Sequence, residues 1–275
     1  MDTEIRLATE QDIPTLCEIW QVCFHDPEDY IRYFYRENFN SITVLVCAVN
    51  GRPVSMMHTM DASFLYGAKR QEAKYLYAGG TLPAYRKNGC YGALFEYLTA
   101  QARQNGHALF GKPASRDLIP YYQAFGFEPD ACFRLVTVRP GEKIPLPVSA
   151  LTPEAYNQMR NRVFSDRPYA KWPDRHLRWC VAENEWCGGK TLAVEMDHDV
   201  YFLIGAPRGN TLLITETNLS FSQLKRASGA LCALFGTGLL QAYLPDFSCS
   251  EGEEIVSSIV YNAPLRNTYV NLLLI

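Results

Sequence analysis

Apolar residues recur along this chain in two rhythms, the period of about two that marks a half-buried strand and the period of about 3.6 that marks an amphipathic helix. "EIRLA" (Glu4 to Ala8) alternates and reads as a short strand. Thr9, followed by Glu10, Gln11 and Asp12, makes a capping-box-like start. Ile13, Leu16, Cys17, Trp20 and Phe24 then fall on one face of a helix. "EDYIRYFYRENF" (Glu28 to Phe39) predicts a second helix, and "SITVLVCAV" (Ser41 to Val49) is an apolar run of strand length. Asn50-Gly51 predicts a hairpin turn, because both residues accept positive φ. It leads into a strand through "VSMMHTMDASFLY", and "EAKYLYAGGTL" (Glu72 to Leu82) is the next strand. A helix is expected from Gly89, with Tyr91, Leu94, Phe95, Leu98 and Ala102 on one face. "ALFGKPAS" starts as a strand and ends as a loop, "RDLIPYYQAF" is a short helix closed by Gly126, and "ACFRLVTV" (Ala131 to Val138) is a further strand. The order is β-α-α-β-β-β-α-β-α-β, an α/β chain with a mixed sheet.

"RPGEKIPLPVSA" (Arg139 to Ala150) is rich in proline and has no periodicity, so it reads as a linker. The expected organisation is a first domain over 1–138, a linker over 139–150 and a second domain over 151–275. Thr152 then Pro153 place a cap and a proline at a helix start. A second helix lies in "PDRHLRWCVAENEW". Strands follow in "KTLAVEMD", "VYFLIGA" and "TLLITETN", then a helix in "SFSQLKRASGALCALF" and strands in "GLLQAYL" and "YVNLLLI". This order echoes the first half without a visible sequence repeat, so the second half reads as a divergent copy of the same fold.

Composition narrows the function classes. The chain has 275 residues, 48% of them hydrophobic and 20% charged, enough to bury a sizeable core without staples. Lys plus Arg number 26 against 29 Asp plus Glu, a net charge of -3, which leaves no electrostatic footprint for nucleic acid. The nine cysteines are odd in number, form no C-x-x-C pair and mostly sit in apolar runs. That is the behaviour of reduced, buried thiols, and it argues against a disulfide framework or a metal site. The N-terminus carries acids and no apolar signal core, and no apolar run has the length of a membrane span. The expected location is cytoplasmic, with no membrane partner, as a monomer or homodimer.

The most informative stretch is "YLYAGGTLPAYRKNGCYGALFEYL" (Tyr75 to Leu98). Gly79 and Gly80 in mid-strand suggest a bulge or a close approach by another backbone-like group. The strand runs through Arg86, Lys87, Asn88 and Gly89 straight into a helix. Strand, glycine turn and helix N-terminus together form an anion site, where backbone N–H groups and the positive end of the helix dipole converge on a phosphate. The stretch is neither a P-loop, since no Gly-Lys-Ser/Thr follows, nor a dinucleotide fingerprint, whose Gly-x-Gly spacing it lacks.

"TLPAYRKNGCYGAL" resembles the acetyl-CoA pyrophosphate loop of the GNAT-superfamily N-acetyltransferases, whose core pattern is Arg/Gln-x-x-Gly-x-Gly/Ala after a Val-x-Pro. Arg86 and Gly89 match and Pro83 is in register; Thr81 stands at the branched apolar position, and Tyr91 replaces the second small residue with Gly92 beside it. "IPYYQAFGFEPD" is similar to the family's closing motif, in which a tyrosine, here Tyr122, precedes Gly-Phe by four positions. Ser115 stands where the family often has an asparagine that touches the cofactor. The overall plan is similar to tandem members and to the first two domains of Eis-like enzymes, without their sterol-carrier-like domain.

The resemblance implies a GNAT fold over the first half and a degenerate GNAT-like second domain. It implies an N-acetyltransferase that moves acetyl from acetyl-CoA to a primary amine in a ternary complex, with no metal. The backbone of Gly79, Gly80 and Thr81 is expected to pair with the pantetheine arm. Arg86, Lys87, Asn88, Gly89, Cys90, Tyr91 and Gly92 are expected to wrap the pyrophosphate, with Ser115 near the cofactor. Tyr122 is the expected general acid for the leaving thiolate. No base is identifiable: His58, Asp61, Glu72 and Tyr77 lie near the motif but read as structural or exposed. "ITETNLSFSQLKRASG" in the second half has no Arg-x-x-Gly turn, so that domain is expected not to bind CoA. The alternatives are an acyl donor other than acetyl-CoA, and a non-catalytic CoA-binding sensor or interaction protein on the same fold.

Overall fold

The computed structural model describes residues 2–130, 132–245, 248–256, 258–263 and 268–270. The chain divides into two compact units, one of Met1–Ser63, Gln71–Pro129 and Ile259–Pro264, the other of Phe64–Arg70, Asp130–Ser258 and Leu265–Ile275. It begins β1 (Thr3–Leu7), α1 (Ile13–Phe24), α2 (Glu28–Asn38), β2 (Thr43–Val49), β3 (Arg52–Tyr66), β4 (Lys69–Thr81), α3 (Cys90–Asn105), β5 (Ala108–Gly111), α4 (Ile119–Gln123) and β6 (Glu128–Pro129). It continues β7 (Cys132–Val138), β8 (Val148–Ala150), α5 (Pro153–Val163), β9 (Tyr169–Lys171), α6 (Asp174–Trp186) and β10 (Lys190–Met196). The last elements are β11 (Asp199–Arg208), β12 (Thr211–Thr217), α7 (Phe221–Phe235), β13 (Leu239–Pro245), β14 (Glu253–Val256) and β15 (Ile259–Tyr261).

The first sheet follows the order β1-β2-β3-β4-β5-β15-β6. β1 pairs antiparallel with β2, to which α1 and α2 lead, and β2 pairs antiparallel with β3 through the turn at Asn50 and Gly51, both with positive φ. β4 and β5 pair in parallel, from Ala73 opposite Ala108 to Leu76 opposite Gly111, so α3 crosses over between them. The apolar face of α3 (Leu94, Phe95 and Ala102) closes on Leu45, Cys47, Val54, Met57, Leu76 and Leu109 of the sheet. Trp20 of α1 and Phe34 of α2 are buried and pack against each other with tilted rings, centroids 4.7 Å apart. β15 lies between β5 and the edge strand β6, and its Ile259 and Val260 pair with both.

The second sheet follows β14-β7-β13-β12-β11-β10-β8. β12 and β13 pair in parallel across α7, as β4 and β5 do across α3. The run β8-α5-α6-β10-β11-β12-α7-β13 therefore repeats β1-α1-α2-β2-β3-β4-α3-β5. In each sheet the strand beyond the parallel pair comes from elsewhere in the chain: β15 lies beside β5, and β7 beside β13. The expected strand at Ala131 to Val138 thus forms, from Cys132, in the second sheet. The expected C-terminal strand "YVNLLLI" lies mostly outside the described residues; Tyr269 makes a single parallel bridge to Tyr169. The proline-rich stretch is not a free linker: the Gly141 amide donates to the Ser228 hydroxyl at 3.0 Å, and a Cβ on Gly229 would meet the Gly141 carbonyl at 2.4 Å.

A buried ion pair braces this second unit. Arg160 of α5 is 0% exposed and donates to Glu216 of β12 at 3.0 Å; its Nη1 donates to the Ala170 carbonyl at 2.7 Å. The hydroxyls of Tyr269 (2.6 Å) and Tyr156 also donate to Glu216. Removing one member of such a pair leaves an uncompensated charge in a medium that solvates it poorly. Glu216→Ala is expected to lower the unfolding free energy by about 3–5 kcal/mol, read from urea denaturation. A loss under about 1 kcal/mol would mean that water reaches Arg160.

Candidate functional site

β5 stops at Gly111 while β4 runs on to Thr81, so the two parallel strands part beyond Leu76. A cleft of about 460 Å³, counting its open mouth, lies at this parting. Tyr77, Ala78 and Gly79 of β4 form one wall; Gly111, Lys112 and Ala114 after β5 form the other. Phe24, Met57, Leu76, Phe95 and Ile259 supply apolar surface, and Tyr91 and Tyr122 bring phenols into it. Burial pushes the Lys112 ammonium pKa down.

β4 is irregular at the cleft. Ala78 has φ of 43°, in the left-handed region that residues with a Cβ rarely adopt. The carbonyls of Tyr77 and Ala78 both face the His58 ring, at 3.3 and 3.1 Å from Nδ1. In a regular strand successive carbonyls point opposite ways, so this is the bulge that the paired glycines suggested. A trans peptide sets its N–H opposite its C=O. The amides of Ala78 and Gly79 therefore point away from His58. Gly79 is glycine for want of room: a Cβ there would sit 2.3 Å from the Tyr91 hydroxyl and 2.6 Å from Met57 Cε.

Beyond Thr81 the chain makes an exposed loop, with Lys87 and Gly89 both in left-handed backbone (φ 64° and 80°). Gly89 is the N-cap residue of α3, and no side chain caps that end. Gly89 thus offers this sixteen-residue helix no capping side chain, and among the described residues nothing lies within 4 Å of where its Cβ would sit. Helix-start amides, the positive end of the dipole and the adjacent Arg86 and Lys87 together suit a phosphate. Arg86 Nε donates to the Thr81 carbonyl at 3.1 Å, which closes the loop on its own strand.

The corresponding helix of the second unit is built differently. β12 ends at Thr217 and α7 begins at Phe221, so there is no room for such a loop. Ser220 accepts from the Gln223 amide at 3.3 Å, and the Gln223 side chain accepts from the Ser220 amide at 2.9 Å. This capping box occupies groups that α3 leaves open.

The expected site residues separate into four groups. Gly79, Tyr91 and Tyr122 line the cleft. Arg86, Lys87, Asn88 and Gly89 form the loop before α3, Cys90 and Gly92 belong to its first turn, and Cys90 is buried in the core. Gly80 and Thr81 have their carbonyls engaged, by the Ser55 hydroxyl at 3.0 Å and by Arg86. Ser115 is exposed ahead of a short 3-10 turn, and it is Ala114 that lines the cleft. His58 is fully buried and pushed down to about 4, first by desolvation. Asp61 pairs with Lys74 at 2.5 Å, Glu72 is exposed, and Tyr77 meets Tyr30 hydroxyl to hydroxyl at 3.3 Å.

Tyr122 packs edge-on against Phe95 with centroids 5.4 Å apart, and it lines the same cleft as Tyr91. Burial raises the Tyr122 hydroxyl above its ordinary value, and the neighbouring Tyr91 phenol partly offsets that. Burial raises Tyr91 further still. Both phenols therefore keep their protons at neutral pH. Sequence reasoning missed Lys112, Met57 and Ile259. Lys112, a charge ending the apolar run "ALFG", carried a readable signal; Ile259, far away in sequence, carried none. Among the described residues, no group of three or more His, Cys, Asp or Glu is placed to hold a metal ion.

Residues 4–129 match the family model of the acetyltransferase (GNAT) domain. No curated protein matches the chain in sequence. Among solved structures, a conserved protein from Enterococcus faecalis V583 described as a probable N-acyltransferase is similar with TM-score 0.73 and 11% identity, over 94% of this chain and 72% of that one. Eis1 from Mycobacterium abscessus is similar with TM-score 0.65 and 11% identity, over 94% and 73%. A tandem GNAT protein from the clavulanic acid biosynthesis pathway is similar with TM-score 0.58 and 10% identity, over 96% and 100%. At such identities these structures speak to the fold. Residues 4–129 of the chain therefore match the GNAT acetyltransferase domain, and the chain has a fold shared with GNAT N-acetyltransferases that include tandem proteins.

Proposed function

We propose that the first unit transfers an acetyl group from acetyl-CoA to a primary amine by direct attack within a ternary complex. The observation that carries this reading is the parting of β4 and β5, which puts a bulged strand, a helix start without a side-chain cap and a protonated phenol around one cleft. The match of this segment to the GNAT domain supports the choice of donor.

The residues divide the work. The left-handed loop Arg86–Gly89 and the first amides of α3 hold the pyrophosphate by backbone donors, the dipole and cationic charge. The edge of β4 left without a β5 partner beyond Leu76 pairs with the pantetheine arm as an added strand. The amides of Ala78 and Gly79 receive the thioester oxygen and stabilise the charge that develops on it. The amine nitrogen attacks the carbonyl carbon, the C–N bond forms and the C–S bond breaks. Tyr122 gives its proton to the departing thiolate and regains one from solvent; the amine releases its own to water. Holding donor and acceptor together supplies much of the acceleration. The second unit, with α7 capped by its own side chains, does not bind CoA.

The test is incubation of the purified protein with acetyl-CoA and a panel of small amines, aminoglycosides and peptides. The expected result is amine-dependent release of the CoA thiol together with the acetylated amine by mass spectrometry. Failure of the folded protein to bind acetyl-CoA in calorimetry would overturn the reading. Binding without turnover across the panel would favour the sensor alternative.

A further inference from the structure

The proposed mechanism needs two adjacent β4 amides facing the cleft, a backbone direction that an alanine does not adopt unaided. Ala78 is held at φ of 43°, and a left-handed L-residue persists only where its surroundings fix it. His58 is the fixing group. His58, on β3, has both ring nitrogens engaged: Nδ1 lies 3.1 Å from the Ala78 carbonyl and 3.3 Å from that of Tyr77, and Nε2 lies 2.9 Å from the Tyr35 hydroxyl. A carbonyl only accepts, so the proton sits on Nδ1; Nε2 then accepts from Tyr35. The ring is completely enclosed, with Trp20 of α1 at 5.3 Å between centroids and Phe34 of α2 at 5.8 Å. It cannot swing away without opening the packing of both helices. One donor thus holds two successive carbonyls on the same side, and peptide planarity turns the Ala78 and Gly79 amides to the other.

We propose that His58, oriented by Tyr35, is the positioning residue that keeps the β4 bulge open toward the acyl donor, and that it takes no part as a base. As a base it is unsuited on geometry alone: its proton is committed to two carbonyls and its other nitrogen is occupied. The significance for acyl transfer rests on the function proposed above; the effect on the backbone does not.

Two readouts separate these. The first uses the free protein: backbone NMR assignment of wild type, His58→Leu, His58→Asn and Tyr35→Phe. The left-handed 13C chemical shifts of Ala78 are expected in wild type and in His58→Asn, whose amide N–H replaces Nδ1–H, and are expected to be lost in His58→Leu. Tyr35→Phe removes one hydroxyl and is expected to give an intermediate shift, which decides the matter if the Leu variant does not fold. The second readout is kinetic. His58→Leu is expected to bind CoA, which has no acyl carbonyl, nearly as wild type does. Its kcat is expected to fall by about 10- to 100-fold, less than the loss of a donor outright, and His58→Asn is expected to restore most of it.

Left-handed shifts for Ala78 in a folded His58→Leu protein, or unchanged shifts in Tyr35→Phe if the Leu variant does not fold, would overturn the proposal whether or not any amine is acetylated. So would a loss of kcat that tracks a loss of CoA affinity. A wild-type protein that shows the bulge and its dependence on His58 but transfers no acetyl group would overturn the proposed function and leave the clamp standing.

Discussion

Tyr122→Phe is expected to lower kcat by about 10²- to 10⁴-fold while leaving the affinity for acetyl-CoA nearly unchanged. The phenol lies in the cleft lined by Gly79 and Lys112, and the change to Phe keeps its packing on Phe95 and Phe127. Only the hydroxyl is lost, so what disappears is the proton for the leaving thiolate. The pH profile carries the diagnostic sign. Burial raises the Tyr122 pKa, so the acid form persists through neutrality and wild-type kcat declines only as alkaline pH removes that proton. In the Phe variant this alkaline limb is expected to vanish. A variant that keeps both its kcat and its alkaline limb would show that another group protonates the thiolate. Tyr91 is the first to examine, since it lines the same cleft and its hydroxyl lies against Gly79.

The second large effect concerns binding. Arg86→Glu combined with Gly89→Asp is expected to weaken acetyl-CoA by at least about a hundredfold in calorimetry, since a charge-assisted hydrogen bond contributes about 1.5–3 kcal/mol and two are lost. Glu at 86 reverses a charge and also frees the Thr81 carbonyl that Arg86 now engages. Asp at 89 puts a carboxylate in the open space before the α3 amides, and it is among the side chains that tolerate left-handed φ best. Wild type is expected to bind one acetyl-CoA per chain, because α7 begins with its own capping box. A stoichiometry near two, abolished by Ser220→Ala with Gln223→Ala, would instead place a second site there. Undiminished binding in the Arg86/Gly89 double variant would move the pyrophosphate away from this loop.

Much of the first unit was legible because its signals are local. The alternation of Glu4 to Ala8, the helical stripe from Ile13 to Phe24 and the Asn-Gly turn each report a backbone period within a few residues. The turn before α3 was legible for the same reason: Gly89 sits where φ is 80° and Lys87 where it is 64°. Tyr122 was found through its spacing from Gly126. Ser115 was placed by analogy of position, and its neighbour Ala114 reaches the cleft instead.

What stayed hidden was set by pairing between distant segments. The strand after β6 reads as a plain amphipathic strand, and nothing in "ACFRLVTV" states that it pairs with β13 and not with β5. The strand that does pair with β5 is three residues long and arrives from Ile259. Edge donors and acceptors accept any strand that the rest of the fold delivers, so composition cannot encode the choice. His58 shows the same divide. Its sequence context is a lone polar residue in an apolar run, whose general expectation is a satisfied core group. The sequence by itself determined the elements, the left-handed turn before α3 and the place of the Tyr122 phenol, because each depends on residues near one another in the chain. The tertiary structure decided which strands border the cleft, how β4 is bent open and which ring holds it, because those depend on contacts that form only when α1, α2, β3 and β4 are packed together.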